Sequence, residues 1–143
     1  MDCVQIRITG KQKDTNGHVE KVKLQADGQY YLRSGKHYLR YQDKSIHKGE
    51  SVQTTMKLSE QEIVIMRRGA VETDQHFQLE KYTTSSYHTP YGPMELGMNT
   101  RAIEVAITEQ GGYARLKYDL AVNGSPVGDY DMHIEIIPKG KEE

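Results

Sequence analysis

Two adjacent arginines, Arg67 and Arg68, close the apolar run "IVIMRRG" just before Gly69. Neighbours in a strand point to opposite faces, so one arginine shares a face with Ile63 and Ile65 and the other with Val64 and Met66. Whichever face is inside, one guanidinium is carried toward the core and must find acceptors there. Two chemistries answer that need. Backbone carbonyls would make a structural plug at one end of the fold; the carboxylate or phosphate of a ligand would make a binding site. Further along, "YHTPYGPMELGMNT" sets Tyr87 and Tyr91 among two prolines and ends at Thr100. Thr89-Pro90-Tyr91-Gly92 fits a type I turn, with Pro second and Gly fourth. A corner accounts for those four residues, but not for the tyrosines gathered around it.

Other reactive side chains lack the company that catalysis requires. The six histidines (His18, His37, His47, His76, His88 and His133) include no HExxH-type spacing, and no cysteine pair accompanies them. No metal site is expected. Ser85 and Ser86 lie near His88, but no GxSxG elbow is present and no acid is placed to orient the imidazole. Cys3 is the one cysteine, without a flanking cation to lower its pKa or a partner for a disulfide. Phosphate-binding glycine loops are absent, no cofactor is implied, and an enzyme is not expected.

The elements that must position these residues alternate with period two. Val4, Ile6 and Ile8 alternate with polar neighbours, and "SVQTTMKL" sets Val52, Thr54, Met56 and Leu58 on one face. In "YARLKYDLAVNGSPVGDYDMHIEII" the apolar face runs from Ala114 through Leu116, Tyr118 and Leu120, then resumes at Tyr130, Met132 and Ile134. Such alternation marks antiparallel strands with one wet face, and Asn123-Gly124 supplies the positive φ angles of a tight hairpin. Further turn signals fall at Asn16-Gly17, Asp27-Gly28, Ser34-Gly35, Gly49, Arg68-Gly69 and Gly111-Gly112. The apolar phase switches between Met98 and Ile103, which predicts a bulge or sharp bend near Asn99 to Ala102. About nine strands in this order predict an all-β fold, a single antiparallel up-and-down β-barrel, with a two-sheet sandwich as the alternative. The interior faces are expected to carry Met56, Met66, Met94, Met98 and Met132 with Tyr118 and Tyr130. A barrel of this size either fills its interior or holds one small ligand.

With 143 residues and a mean hydropathy of −0.77, the chain has room for one modest core. One domain over 1–138 and a disordered tail over 139–143 are expected. No basic segment followed by an apolar stretch opens the sequence, and no apolar run approaches the ~20 residues of a membrane span. The expectation is a cytoplasmic protein without a membrane. A net charge of −1 argues against wholesale capture by nucleic acid. One segment leans the other way: residues 28–48 interleave Arg33, Lys36, Arg40, Lys44 and Lys48 with Tyr30, Tyr31, Tyr38 and Tyr41. Bases stack on such surfaces, so a protein or single-stranded RNA interaction module is the rival reading. Half of those tyrosines must face inward, however, and the remaining chain is rich enough in acids to neutralise the patch.

"MRRGAVETDQHF", "YHTPYGPMELGMNT" and the closing hairpin together resemble the YwiB-like proteins, small bacterial proteins of unknown function. That resemblance runs from "IRITGKQ" to "IEI" and is most specific at Met66-Arg67-x-Gly69 and Thr89-Pro90-Tyr91-Gly92 with Thr100. It implies a calycin-type, lipocalin-like barrel and no activity. By fold analogy alone, such barrels often hold small amphipathic molecules. The resulting expectation is a non-enzymatic barrel whose lumen takes a small amphipathic or anionic ligand. Arg67 or Arg68 would meet the head group, Tyr87, Tyr91 and Thr100 would stand near the mouth, and Tyr118 and Tyr130 would line the interior with the methionines.

Overall fold

A computed structural model describes residues 2–47 and 50–139. Ten antiparallel strands form the fold: β1 (Asp2–Asp14), β2 (Val19–Arg33), β3 (Lys36–His47), β4 (Glu50–Leu58) and β5 (Glu62–Gly69), then β6 (Glu72–Gln78), β7 (Tyr82–Thr89), β8 (Gly92–Thr108), β9 (Gly111–Val122) and β10 (Ser125–Pro138). Each strand pairs with its sequence neighbours, and β10 pairs with β1, so the ring is closed. A closed barrel, not a sandwich, is what the alternating pattern builds. No helix among the described residues is long and apolar enough to cross a membrane.

The strand count differs from the expected nine for a physical reason. Asp27-Gly28 is not a turn but lies within β2. Gly28 is glycine because a Cβ there would sit 2.5 Å from Ile6 Cδ1 and 2.6 Å from the Arg40 carbonyl oxygen. Two real turns carry no glycine or proline. Ser59–Gln61 is closed by Ser59, whose N–H and hydroxyl both donate to the Glu62 carbonyl at 3.0 and 2.8 Å. Leu79–Lys81 is turned by Glu80 at φ 61°. The turn expected at Gly49 falls outside the described residues. At Asn123-Gly124 the φ angles of 49° and 85° are those the hairpin demanded.

Inward side chains of every strand fill the ring. Ile6, Leu39, Met56, Phe77, Met98 and Leu116 are all fully buried in one continuous cluster. Phe77 rests on Tyr118, their ring centres 4.6 Å apart, and Tyr118 stacks on Tyr130 at 5.2 Å. Met66 breaks the expected pattern. It shares its face with Arg68, while Ile63, Ile65 and Arg67 turn inward. Between Thr100 and Ala102 the register of β8 against β9 shifts by one residue at Arg101, the bulge that the phase change required.

The ring is not uniformly sealed. β1 and β2 share twelve register pairs and β8 and β9 also twelve, but β2 and β3 share six and β6 and β7 only two. Where the β6–β7 ladder stops, side chains replace it: the Thr73 hydroxyl donates to the Ser86 carbonyl at 2.8 Å, and the Thr83 hydroxyl donates to the His76 carbonyl. Lys139, expected to start a loose tail, is held instead. Its N–H donates to the Cys3 carbonyl at 3.2 Å and its ammonium meets Asp27 at 3.1 Å. Residues 140–143 lie outside the described residues.

Candidate functional site

The turns β5–β6 and β7–β8 stand at one end of the barrel, and a polar layer lies just inside it. Strand register sets Tyr41 opposite Thr54, Thr54 opposite Arg67, Arg67 opposite Thr73, and Thr73 opposite Tyr87. All five belong to the inward-facing set of their strands, so five adjacent strands contribute one continuous polar row. One step toward the mouth, Asp43 is 2% exposed. One step deeper, Leu39, Met56 and Ile65 form an apolar row that ends in Gln75. Polarity is therefore stratified, with a polar cap over a packed apolar interior.

Arg67 is the centre of the cap. Its Nη1 donates to Gln75 Oε1 at 3.0 Å, while its buried Nε has no hydrogen-bond partner. Two hydroxyls are in the same condition, Ser85 Oγ on β7 and Thr100 Oγ1 on β8. Burial pushes the Tyr41 phenol far above its usual range; the Arg67 charge pulls it back and Asp43 pushes it up again. Burial raises Tyr118 as well, the neighbouring Tyr130 adds to the rise, and Arg67 opposes it. One inward-facing cation thus acts on phenols of two separate strands, β3 and β9. Arg67 keeps a donor to spare in a layer of hydroxyls that also has the buried Asp43 carboxyl one step away, and a spare guanidinium donor suits an oxyanion.

Of the residues expected at the site, Arg67, Tyr118 and Tyr130 face the interior and Tyr87 stands half-buried at the mouth. Thr100 also faces inward, but its backbone is bonded to Glu80 and Lys81 of the β6–β7 turn, at the other end of β7 from the mouth where it was expected. Arg68 does not. It points outward and makes a two-pronged contact with Asp74, Nη1 to Oδ1 at 2.8 Å and Nη2 to Oδ2 at 3.1 Å. Tyr91 is 77% exposed at the tip of the β7–β8 turn, because the corner that places it projects away from the lumen. There the Thr89 hydroxyl accepts from the Tyr91 N–H at 3.1 Å. Sequence reasoning missed Tyr41 and Thr73 as members of the layer, Gln75 one step beneath it, and the unpartnered Ser85. β6 reads "ETDQHFQ", and only its pairing with β5 reveals that Thr73, Gln75 and Phe77 form its inner face.

The basic, tyrosine-rich segment divides as strand alternation requires. Tyr41 is buried and Tyr30 faces inward, its hydroxyl 2.7 Å from His37 Nδ1. Tyr31 and Tyr38 stack on each other outside, ring centres 4.8 Å apart and nearly parallel. Among the described residues no three metal-binding side chains gather.

Comparison with known proteins gives this architecture a family. A domain of unknown function, DUF1934, matches residues 6–134. The chain belongs to the DUF1934 family. It is 31% identical over 121 residues to the uncharacterized beta-barrel protein YwiB of Bacillus subtilis (strain 168), covering 85% of this chain and 80% of that one. The crystal structure of the same Bacillus protein superposes with a TM-score of 0.88 at 27% identity, covering 97% of this chain and 93% of the other. The resemblance drawn from the Arg67 and Thr89–Gly92 motifs therefore extends over the whole barrel. The family is one of unknown function.

Proposed function

We propose that this DUF1934 barrel is a non-enzymatic binding protein whose polar layer seats a small anionic group, a carboxylate or a phosphate. The observation that carries the reading is Arg67: a guanidinium inside the barrel with a buried, unpartnered Nε, while elsewhere in the interior Ser85 and Thr100 keep two further hydroxyls unsatisfied. Each such group costs about 1–3 kcal/mol when left unpaired, and an oxyanion would satisfy donors of this kind. Packing limits the rest of the ligand. Met56 and Met98, expected to touch a tail, are fully buried in the core beside Phe77. An amphipathic ligand would place its apolar part at the mouth, against Tyr87 and Met94.

Thermal melts with acetate, inorganic phosphate and decanoate as probes test this reading. A probe at ~100 times its Kd stabilises the fold by about 2.7 kcal/mol, a shift of several degrees. We expect Arg67→Gln to abolish the shift. Arg68→Ala, and Arg33→Ala combined with Arg40→Ala on the outer surface, should leave it unchanged. No shift with any probe, or an equal shift in Arg67→Gln, would overturn the proposal.

A further inference from the structure

We propose that two copies of the chain join through residues 102–108 of β8, strand against antiparallel strand, to make one sheet continuous across two barrels. β8 is longer than the strand beside it. β7 pairs with it only from Gly92 to Asn99, and the β6–β7 turn takes over the Thr100 backbone through Glu80 and Lys81. From Ala102 to Thr108 the ladder to β9 continues, but among the described residues the other side of the strand has no ladder partner. The Arg101 bulge is where the strand leaves β7 and sets out alone. Its inward row shows the consequence. Ile103 and Val105 are only half-buried, whereas Leu116 and Ala114, their partners on β9, are fully buried.

A second stretch of strand is also open along one side, and the contrast between the two is informative. Residues 19–27 of β2 pair with β1 but extend past the end of the β2–β3 ladder at Gly28. That edge carries Lys21 and Lys23 on its outward row, with Lys11 directly opposite Lys21. Like charges so placed repel an incoming strand of the same kind, a common protection of edges. Antiparallel pairing sets residues of equal parity opposite each other, so every self-pairing centred on Lys21, Val22 or Lys23 brings lysine against lysine. The β8 edge has no such guard. Between Ala102 and Thr108 it holds neither lysine nor proline, and Glu104 is its one charge.

That edge is complementary to itself. A two-fold axis at Val105 sets Ile103 against Ile107 of the partner subunit and Glu104 against Ala106 of the partner subunit. The apolar row becomes continuous, and no like charges meet. Glu104 is already fixed by the Tyr113 hydroxyl, which donates to its Oε2 at 2.8 Å. Because the same edge is used twice, the assembly closes at two copies.

Sedimentation velocity on the full chain, from micromolar to near-millimolar concentration, tests the proposal with two substitutions at one exposed position. Ala106→Glu places a carboxylate against Glu104 of the partner subunit on both sides of the axis and should weaken the dimer roughly tenfold. Ala106→Lys places an ammonium there and should tighten it a few-fold; added salt should shrink both effects. A loss of packing at residue 106 would move both variants the same way. The proposal is overturned if the wild type stays monomeric throughout. It is equally overturned if the two variants shift together or not at all, or if Lys21→Glu on the guarded edge changes the assembly.

Discussion

Arg67 concentrates the chemistry of the molecule in one side chain. Its Nε is buried without a partner, and Gln75 takes the single hydrogen bond it makes among the described residues. If the layer evolved to receive an anion, the empty protein bears the desolvation cost. Replacing both partners by apolar groups, Arg67→Met with Gln75→Leu, should then raise the unfolding free energy by about 1–3 kcal/mol and abolish anion-dependent stabilisation. Urea titration reads the first effect, and a fall in stability would mark Arg67 as a structural plug. A different arginine shows ordinary surface electrostatics. Arg115 grips Asp131 through two hydrogen bonds, at 3.1 and 2.8 Å, and holds its carboxyl below the usual range. A depressed carboxyl contributes stability above its unfolded pKa, near 4, and loses it as pH falls through the folded value. Arg115→Gln should therefore lower the melting temperature at pH 7 and leave it nearly unchanged at pH 2. Alternation alone could say that one of Arg67 and Arg68 pointed inward, but not which. The phase is fixed by register with β4 and β6, information that lies outside the segment itself.

At the scale of elements, the ring has one thinnest seam, which divides β6 from β7. The β6–β7 junction has two ladder pairs and leans on the hydroxyls of Thr73 and Thr83. Hydrogen exchange should find the amides of β6 and β7 along this junction exchanging ahead of those in β9 and β10. Thr73→Val, which keeps the shape and removes the bond to Ser86, should accelerate them further. Equal protection around the whole ring would contradict this division. Several elements were legible because their chemistry is local: the Asn123-Gly124 hairpin, the Thr89–Gly92 corner and the bulge announced by the phase change before Ile103. The turns at Ser59–Gln61 and Leu79–Lys81 were not, because a side-chain cap and one left-handed glutamate leave no glycine or proline signal. Gly28 misled in the other direction, since close packing rather than chain reversal requires it.

The whole molecule is a barrel with a solid interior and a polar cap. The interior supplies the stability: Phe77, fully buried against Tyr118, should cost about 3–5 kcal/mol on truncation to alanine. The cap holds the Arg67 Nε that has no partner, and under the proposed function it would supply the specificity. Strand alternation and turn spacing made the barrel legible, and the family assignment agrees with it. Whether the barrel was open or filled was not legible, since methionine and tyrosine suit both. The answer depended on Phe77, Met56 and Met98 converging from different strands, and on Met66 turning outward. The most direct test of the central claim is native mass spectrometry of the wild-type protein and Arg67→Gln, purified side by side, each followed by denaturation and analysis of what is released. We expect the wild type to carry an additional anionic mass, lost on unfolding and missing from the folded variant. Identical bare masses for the two, with no phosphate or carboxylate adduct formed when either is supplied, would contradict it.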